Sequence, residues 1–181
     1  FQSKISVAET PIPVPVKIRT NFNETAFFYP QLRTDADGNV KFSFTVPESV
    51  TRWNVKMLAH TQDLYVGKAE NQVITQKELM VQMNLPRFVR RSDKPLISAT
   101  VTNLTDTVLM TTVELQLINP KTDQIIYSKI SSPIPLGKGT EQQSFELNDL
   151  STYDLLICKV VASSDSFSDG EQKYLPILPD K

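Results

Sequence analysis

The sequence predicts an all-β fold. Apolar and polar residues alternate with period two in one run after another, and turn-forming residues stand between the runs. No long stretch keeps a clean 3.6-residue period, and 12 Pro against 5 Gly disfavours long helices.

In chain order, Thr10-Pro11-Ile12-Pro13-Val14-Pro15 reads as an extended, polyproline-like lead-in. Strands are then expected over about 13–20, 25–33, 40–46, 52–60 and 63–69. Val40, Phe42, Phe44 and Val46 alternate with polar residues, and Trp53, Val55, Met57 and Ala59 repeat the pattern. Asp37-Gly38-Asn39 supplies a hairpin turn that needs positive φ, and Pro47 ends a strand because it has no N–H for a ladder. From residue 76 on, seven strands are expected: 79–85, 96–102, 108–118, 124–130, 141–147, 153–163 and 171–178. The clearest alternations are Leu79, Val81, Met83 and Leu85; Ile97, Ala99 and Val101; and Val113, Leu115 and Leu117. Asn119-Pro120-Lys121-Thr122-Asp123 is a turn, and 133–139 and 163–170 read as irregular loops.

Seven short strands in about 100 residues is the size of an immunoglobulin-like or fibronectin-like sandwich. The Cys pair and buried Trp of antibody domains are missing from this half, so the fibronectin type III-like variety is expected. The first part has too few strands for a closed sandwich. It is either a small sheet or part of a domain whose partner strands lie upstream. The expected division is 1–75, a partial or smaller β domain, and 76–181, a seven-stranded sandwich. Trp53, Phe42, Phe44 and Val46 should anchor the first sheet. Leu79, Val81, Val113, Leu115, Leu117, Leu155, Ile157 and Leu175 should form the second core.

Composition narrows the chemistry. The 181 residues (20.4 kDa) carry 19 Lys+Arg and 20 Asp+Glu, a net charge of −1, with a pI near 5.9. No chain-wide positive field draws nucleic acid or anionic lipid. No apolar run approaches the length of a membrane span, and no signal peptide opens the chain. It starts on Phe1 rather than Met and so reads as a piece of something longer. One Cys permits no internal disulfide, and one His permits no His-rich metal cage. No cofactor, metal ligand or catalytic residue is assigned.

Each local cluster has a structural reading that outweighs the functional one. Cys158, inside Leu155-Leu156-Ile157-Cys158, reads as a small buried hydrophobe. His60 with Asp63 lacks a nucleophile and an oxyanion site. Asp35, Asp37 and Asn39 lack the bidentate Glu of a calcium loop and read as a turn. Arg87, Arg90 and Arg91 beside Phe88 read as a salt-bridged edge rather than a nucleic-acid platform. Asn23-Glu24-Thr25 and Asn103-Leu104-Thr105 match the N-glycosylation pattern, which also arises often by chance.

Residues 19–91 carry a run of ordered motifs. These are Arg19-Thr20-Asn21-Phe22-Asn23-Glu24-Thr25-Ala26-Phe27-Phe28-Tyr29-Pro30, then Thr34-Asp35, Gly38, Phe42-Ser43-Phe44-Thr45-Val46-Pro47-Glu48-Ser49, Thr51-Arg52-Trp53 and Pro86-Arg87-Phe88. Their order resembles the alpha-2-macroglobulin family, in the segment after the bait region. Arg19-Thr20-Asn21-Phe22 and Ala59-His60-Thr61 look closest to large bacterial members of Bacteroides-like organisms. The resemblance implies a string of macroglobulin domains, each a fibronectin-like sandwich, in a protein that entraps proteases after a bait segment is cut. Many members also carry a thioester built from Cys-Gly-Glu-Gln. Here Asp169-Gly170-Glu171-Gln172 has Asp in the Cys position, so this stretch cannot form one. Lys4, Lys17 and Arg19 near the Pro-rich lead-in are sites a trypsin-like protease could cut, though any exposed linker has such sites.

The resulting expectation is a non-enzymatic structural fragment of a bacterial alpha-2-macroglobulin-like endopeptidase inhibitor. Its partners would be neighbouring macroglobulin domains of the same parent chain, and proteases through the full-length protein, with no nucleic acid and no membrane insertion. A periplasmic or cell-surface location follows, with lipid anchoring through the parent's N-terminus as one form of it. The alternative is an extracellular adhesion or carbohydrate-binding β-sandwich module. That would need an exposed aromatic platform or a loop metal site.

Overall fold

A computed structural model describes residues 16–148 and 150–180. These are strands and loops, with no helix among the described residues. The chain divides into two compact units. One is Arg19–Lys77; the other holds the described residues from Glu78 onward together with 16–18.

The strands in chain order are β1 (Ile18–Arg19), β2 (Arg52–His60), β3 (Val66–Ile74), β4 (Leu79–Asn84), β5 (Val89–Arg90) and β6 (Leu96–Asn103). They continue with β7 (Leu109–Asn119), β8 (Gln124–Ile130), β9 (Ile134–Leu136), β10 (Gly139–Glu146), β11 (Leu155–Ser163) and β12 (Ser168–Leu178).

The larger unit is a two-sheet sandwich. One sheet runs β1-β12-β11-β7-β8, with β5 beside the end of β12 and β9 beside the start of β7. The other runs β10-β6-β4. Period-two patterning explains the burial. Leu79, Val81 and Met83 of β4, Ile97, Ala99 and Val101 of β6, and Val113, Leu115 and Leu117 of β7 all point into one core. Phe145, Leu147, Leu175 and Ile177 join them.

Several expectations change in this unit. Among the described residues, nine strands follow residue 76 where seven were expected, the additions being the short β5 and β9. Leu155 is 37% exposed, and Leu156, Cys158, Val160 and Ala162 face the core instead. A continuous apolar run does not reveal its own phase; pairing of β11 with β7 and β12 sets it. Ile157 is buried but lies outside the core cluster. The loop expected over 133–139 contains β9. Pro135 is tolerated there because β9 is a short edge strand, and Leu136 is buried. The loop expected over 163–170 shrinks to a tight connection, with the Ser164 N–H donating to the Phe167 carbonyl (2.9 Å).

The smaller unit is built on the antiparallel hairpin β2–β3, in register from Arg52↔Ile74 to His60↔Val66. The strand expected over 63–69 starts at Val66, because 61–65 forms the turn: Thr61 N–H donates to the Tyr65 carbonyl (3.0 Å), and Leu64 takes φ 64°. The segments 25–33 and 40–46 are not strands. They meet through side chains. Phe27 lies 4.3 Å from Phe44 and 5.3 Å from Phe42 between ring centroids, and the Tyr29 hydroxyl donates to the Ser43 carbonyl (3.1 Å). The expected anchors do not form a core: Phe42 and Phe44 are exposed, while Val46 and Trp53 are half-buried. A two-stranded hairpin has no second layer of its own to cover them. Of the strand expected over 13–20, only Ile18 and Arg19 pair, and 13–15 lie outside the described residues, as does Lys4.

Candidate functional site

The most constrained polar cluster lies on β12. Period two puts Asp169, Glu171 and Lys173 in phase with the core residues Leu175 and Ile177. Two carboxylates therefore enter the interior: Asp169 is 0% exposed and Glu171 2%. Burial of ionisable groups demands partners. Asp169 Oδ2 accepts the Val81 N–H (3.0 Å), and Glu171 Oε1 accepts the Met83 N–H. Lys173 Nζ pairs with Glu171 Oε1 (2.8 Å) and donates to the Met83 carbonyl (3.3 Å). Between the carboxylates, Gly170 has no room for a side chain. A Cβ there would meet Ile18 Cδ1 at 2.6 Å and the Val160 carbonyl oxygen at 3.0 Å. The Gly170-Glu171-Gln172 triplet thus has a packing reason, independent of any thioester chemistry. Sequence reasoning missed this cluster. Its signal was charge falling on the apolar phase of the alternation.

Asn103 is fully buried. Its Nδ2 donates to the Thr107 carbonyl (2.8 Å) and the Leu136 carbonyl (3.0 Å), while Oδ1 accepts from the Thr105 N–H (2.8 Å) and hydroxyl (2.7 Å). In the folded chain this Asn-Leu-Thr triplet is a loop brace, whereas Asn23 is exposed. Arg90 and Arg91 form an edge clasp, while Arg87 is exposed. Arg91 pairs with Asp154 (2.7 Å), and Arg90 donates to the Pro179 carbonyl (2.8 Å). Ser92 donates from its hydroxyl (2.8 Å) and N–H (3.2 Å) to Asp180 Oδ1, which holds the Asp180 carboxyl below its ordinary range.

The remaining candidates stay apart. His60 is exposed and its Nδ1 lies 3.4 Å from the Thr61 carbonyl. Asp35 Oδ1 accepts the N–H groups of Asp37 (3.0 Å) and Asn39 (2.8 Å), and Gly38 takes φ 80°. That is the expected turn. Lys17 is exposed, but Arg19 is buried, with its guanidinium 5.7 Å from the Phe22 ring centroid and donating to the Glu48 carbonyl (3.3 Å). It is therefore not the exposed cleavage site the sequence suggested. Cys158 is buried, and burial pushes its thiol up to about 12.

These side chains brace strands and loops, so the cluster is a structural feature of a β-sandwich. The sequence model of the Alpha-2-macroglobulin family matches residues 25–115, half of the chain, and the chain belongs to that family. It is 25% identical over 167 residues to alpha-2-macroglobulin of Thermotoga maritima, covering 92% of this chain and 11% of that protein. It is 35% identical over 89 residues to an alpha-2-macroglobulin homolog of Nostoc sp., covering 49% of this chain and 5% of that protein. The chain thus spans about a tenth or less of these relatives. Among solved structures, it is similar to Escherichia coli alpha-2-macroglobulin activated by porcine elastase (TM-score 0.62, 17% identity, 86% of this chain and 15% of that one). It is also similar to a mutant of Salmonella alpha-2-macroglobulin (TM-score 0.57, 19% identity, 81% of this chain and 10% of that one). At these identities the structures speak to the fold alone.

Proposed function

We propose that the chain is a structural portion of a bacterial alpha-2-macroglobulin-like endopeptidase inhibitor, which traps proteases after its bait segment is cut. The family match over residues 25–115 carries the reading. The relative solved after activation by porcine elastase supports a protease as the partner of the whole protein. In this reading the chain is not an enzyme. Its sandwich is a rigid unit, and its hairpin, with Met57, Leu58, Val66, Val73 and Ile74 exposed, meets neighbouring domains of the parent protein. The parent acts in the periplasm or at the cell surface.

The test mixes the full-length parent with a broad-specificity protease. Loss of cleavage of large protein substrates, with small peptide substrates still cut, is the expected result. An uncut parent beside a fully active protease overturns the reading. The isolated 181-residue chain should leave the protease uninhibited on both substrates.

A further inference from the structure

The sequence holds two Asp-Gly dipeptides, Asp37-Gly38 and Asp169-Gly170. In this pairing an aspartate side chain is readily attacked by its own backbone. The amide nitrogen of the next residue can close a five-membered ring on the aspartate Cγ, and glycine has no Cβ to hinder the approach. Closure requires a backbone that can turn that nitrogen onto the carboxyl group. The fold treats the two dipeptides oppositely.

Asp169-Gly170 is locked. It lies within β12, in register with Ala162 and Val161 of β11. Asp169 is fully buried, and its Oδ2 accepts the Val81 N–H (3.0 Å). Gly170 is packed so closely that a Cβ there would meet Ile18 Cδ1 at 2.6 Å. Ring closure at this site requires β12 to leave its ladder. Asp37-Gly38 stands open. Both residues are exposed, and nothing lies within 4 Å of the place a Gly38 Cβ would occupy. Asp35 holds the turn around them. Its N–H donates to the Asn39 carbonyl (2.9 Å), and its Oδ1 accepts the N–H groups of Asp37 (3.0 Å) and Asn39 (2.8 Å). The Gly38 N–H donates to the Asp35 carbonyl at 3.1 Å, the longest of these bonds. The Gly38 nitrogen can leave its acceptor while the other bonds keep the turn. The Asp37 carboxyl group takes part in none of them.

We propose that Asp37 is a site of spontaneous isoaspartate formation in the folded chain, and that burial in β12 protects Asp169 from the same reaction. The Gly38 nitrogen bonds to Asp37 Cγ. The carboxyl hydroxyl leaves as water with the amide proton, and a five-membered succinimide remains. Water then opens the ring. Cleavage of the Cγ–N bond restores aspartate. Cleavage between the nitrogen and the main-chain carbonyl carbon of Asp37 leaves the chain running through Cβ and Cγ. Water is the sole co-reactant, nothing is oxidised or reduced, and the product has the mass of the starting chain. It carries one more backbone carbon in the turn that joins segments 25–33 and 40–46.

The experiment holds the full 181-residue chain warm near neutral pH for several weeks, one sample native and one in guanidinium chloride. Isoaspartate is read peptide by peptide, by labelling with an isoaspartyl methyltransferase and by electron-transfer fragmentation, which separates it from aspartate of equal mass. In the native sample Asp37 should convert at least about tenfold faster than Asp169, because Asp169 reacts only when β12 opens. In guanidinium chloride the two sites should convert at similar rates. No product at Asp37 in the native chain overturns the proposal, and so does native conversion at Asp169 as fast as at Asp37. A bias of the same size in the denatured chain overturns the protective role of the fold. Asp37→Glu sets the carboxyl group one methylene further out, so the five-membered ring cannot form, while Asp35 still holds the turn. The product should vanish from that peptide, and its persistence overturns the assignment to Asp37.

Discussion

Cys158 lies on the inward face of β11, opposite Leu117 of β7 and Lys173 of β12 in the strand register. Burial disfavours its thiolate, which raises the pKa from an ordinary 9.0 to about 12. In the unfolded chain the thiol ionises near 9, so the folded form is favoured fully below that pH. This contribution is lost as pH rises from about 9 towards 12. Two outcomes follow. Iodoacetamide at pH 8 should leave Cys158 unmodified in the native chain and modify it readily in denaturant. Cys158→Ala should flatten the loss of stability between about pH 9 and 12, measured by urea titration. Rapid native alkylation would contradict the burial. Asn103 makes the same point about residue type. A triplet that reads as a modification site is a brace around a buried Asn103, whose side-chain amide is engaged at both its oxygen and its nitrogen.

At the scale of the element, β11 separates pattern from phase. Leu155 and Leu156 are adjacent and chemically identical, yet one is exposed and the other fully buried. Leu156→Ala and Leu115→Ala should each cost about 2–5 kcal/mol by leaving a cavity. Leu155→Ala should cost well under that, within about 0.5–1 kcal/mol. Chemical denaturation of the three variants checks the assignment, and equal losses at 155 and 156 would mean the phase is wrong. Where charge interrupts the alternation, as in β12, the interruption marks the polar contacts to β4. Runs with clean alternation, such as 79–84 and 109–119, were legible within a residue or two of their ends. The aromatic segments 25–33 and 40–46 were not, because alternation alone does not supply the neighbouring strand that makes a ladder.

For the whole molecule, the sandwich holds a continuous buried cluster, while β2–β3 has none: both strands are exposed or at most half-buried. Isolated hairpins are marginal in water. Amides of 53–59 and 67–73 should therefore exchange faster than those of 113–117 and 156–162 in the 181-residue chain. On the proposed function, neighbouring domains cover Leu58 and Val66, and the hairpin amides should slow in the full-length parent. Protection of the hairpin in the isolated chain equal to that of β7 and β11 would contradict this account.

The linear order of residues was enough for the all-β class, for seven of the nine described strands after residue 76 and most of their limits, for the turns at 35–39 and 119–123, and for the family. Each of these depends on local periodicity, backbone conformational preference or motif order, all of which are written along the chain. Other features depend on contacts between residues far apart. These are the inward phase of β11, the burial of Asp169 and Glu171 against the amides of Val81 and Met83, and the engagement of Asn103. A carboxylate carries the same charge on either face of a strand. A partner that approaches from 88 residues away helps to make the buried side the favourable one.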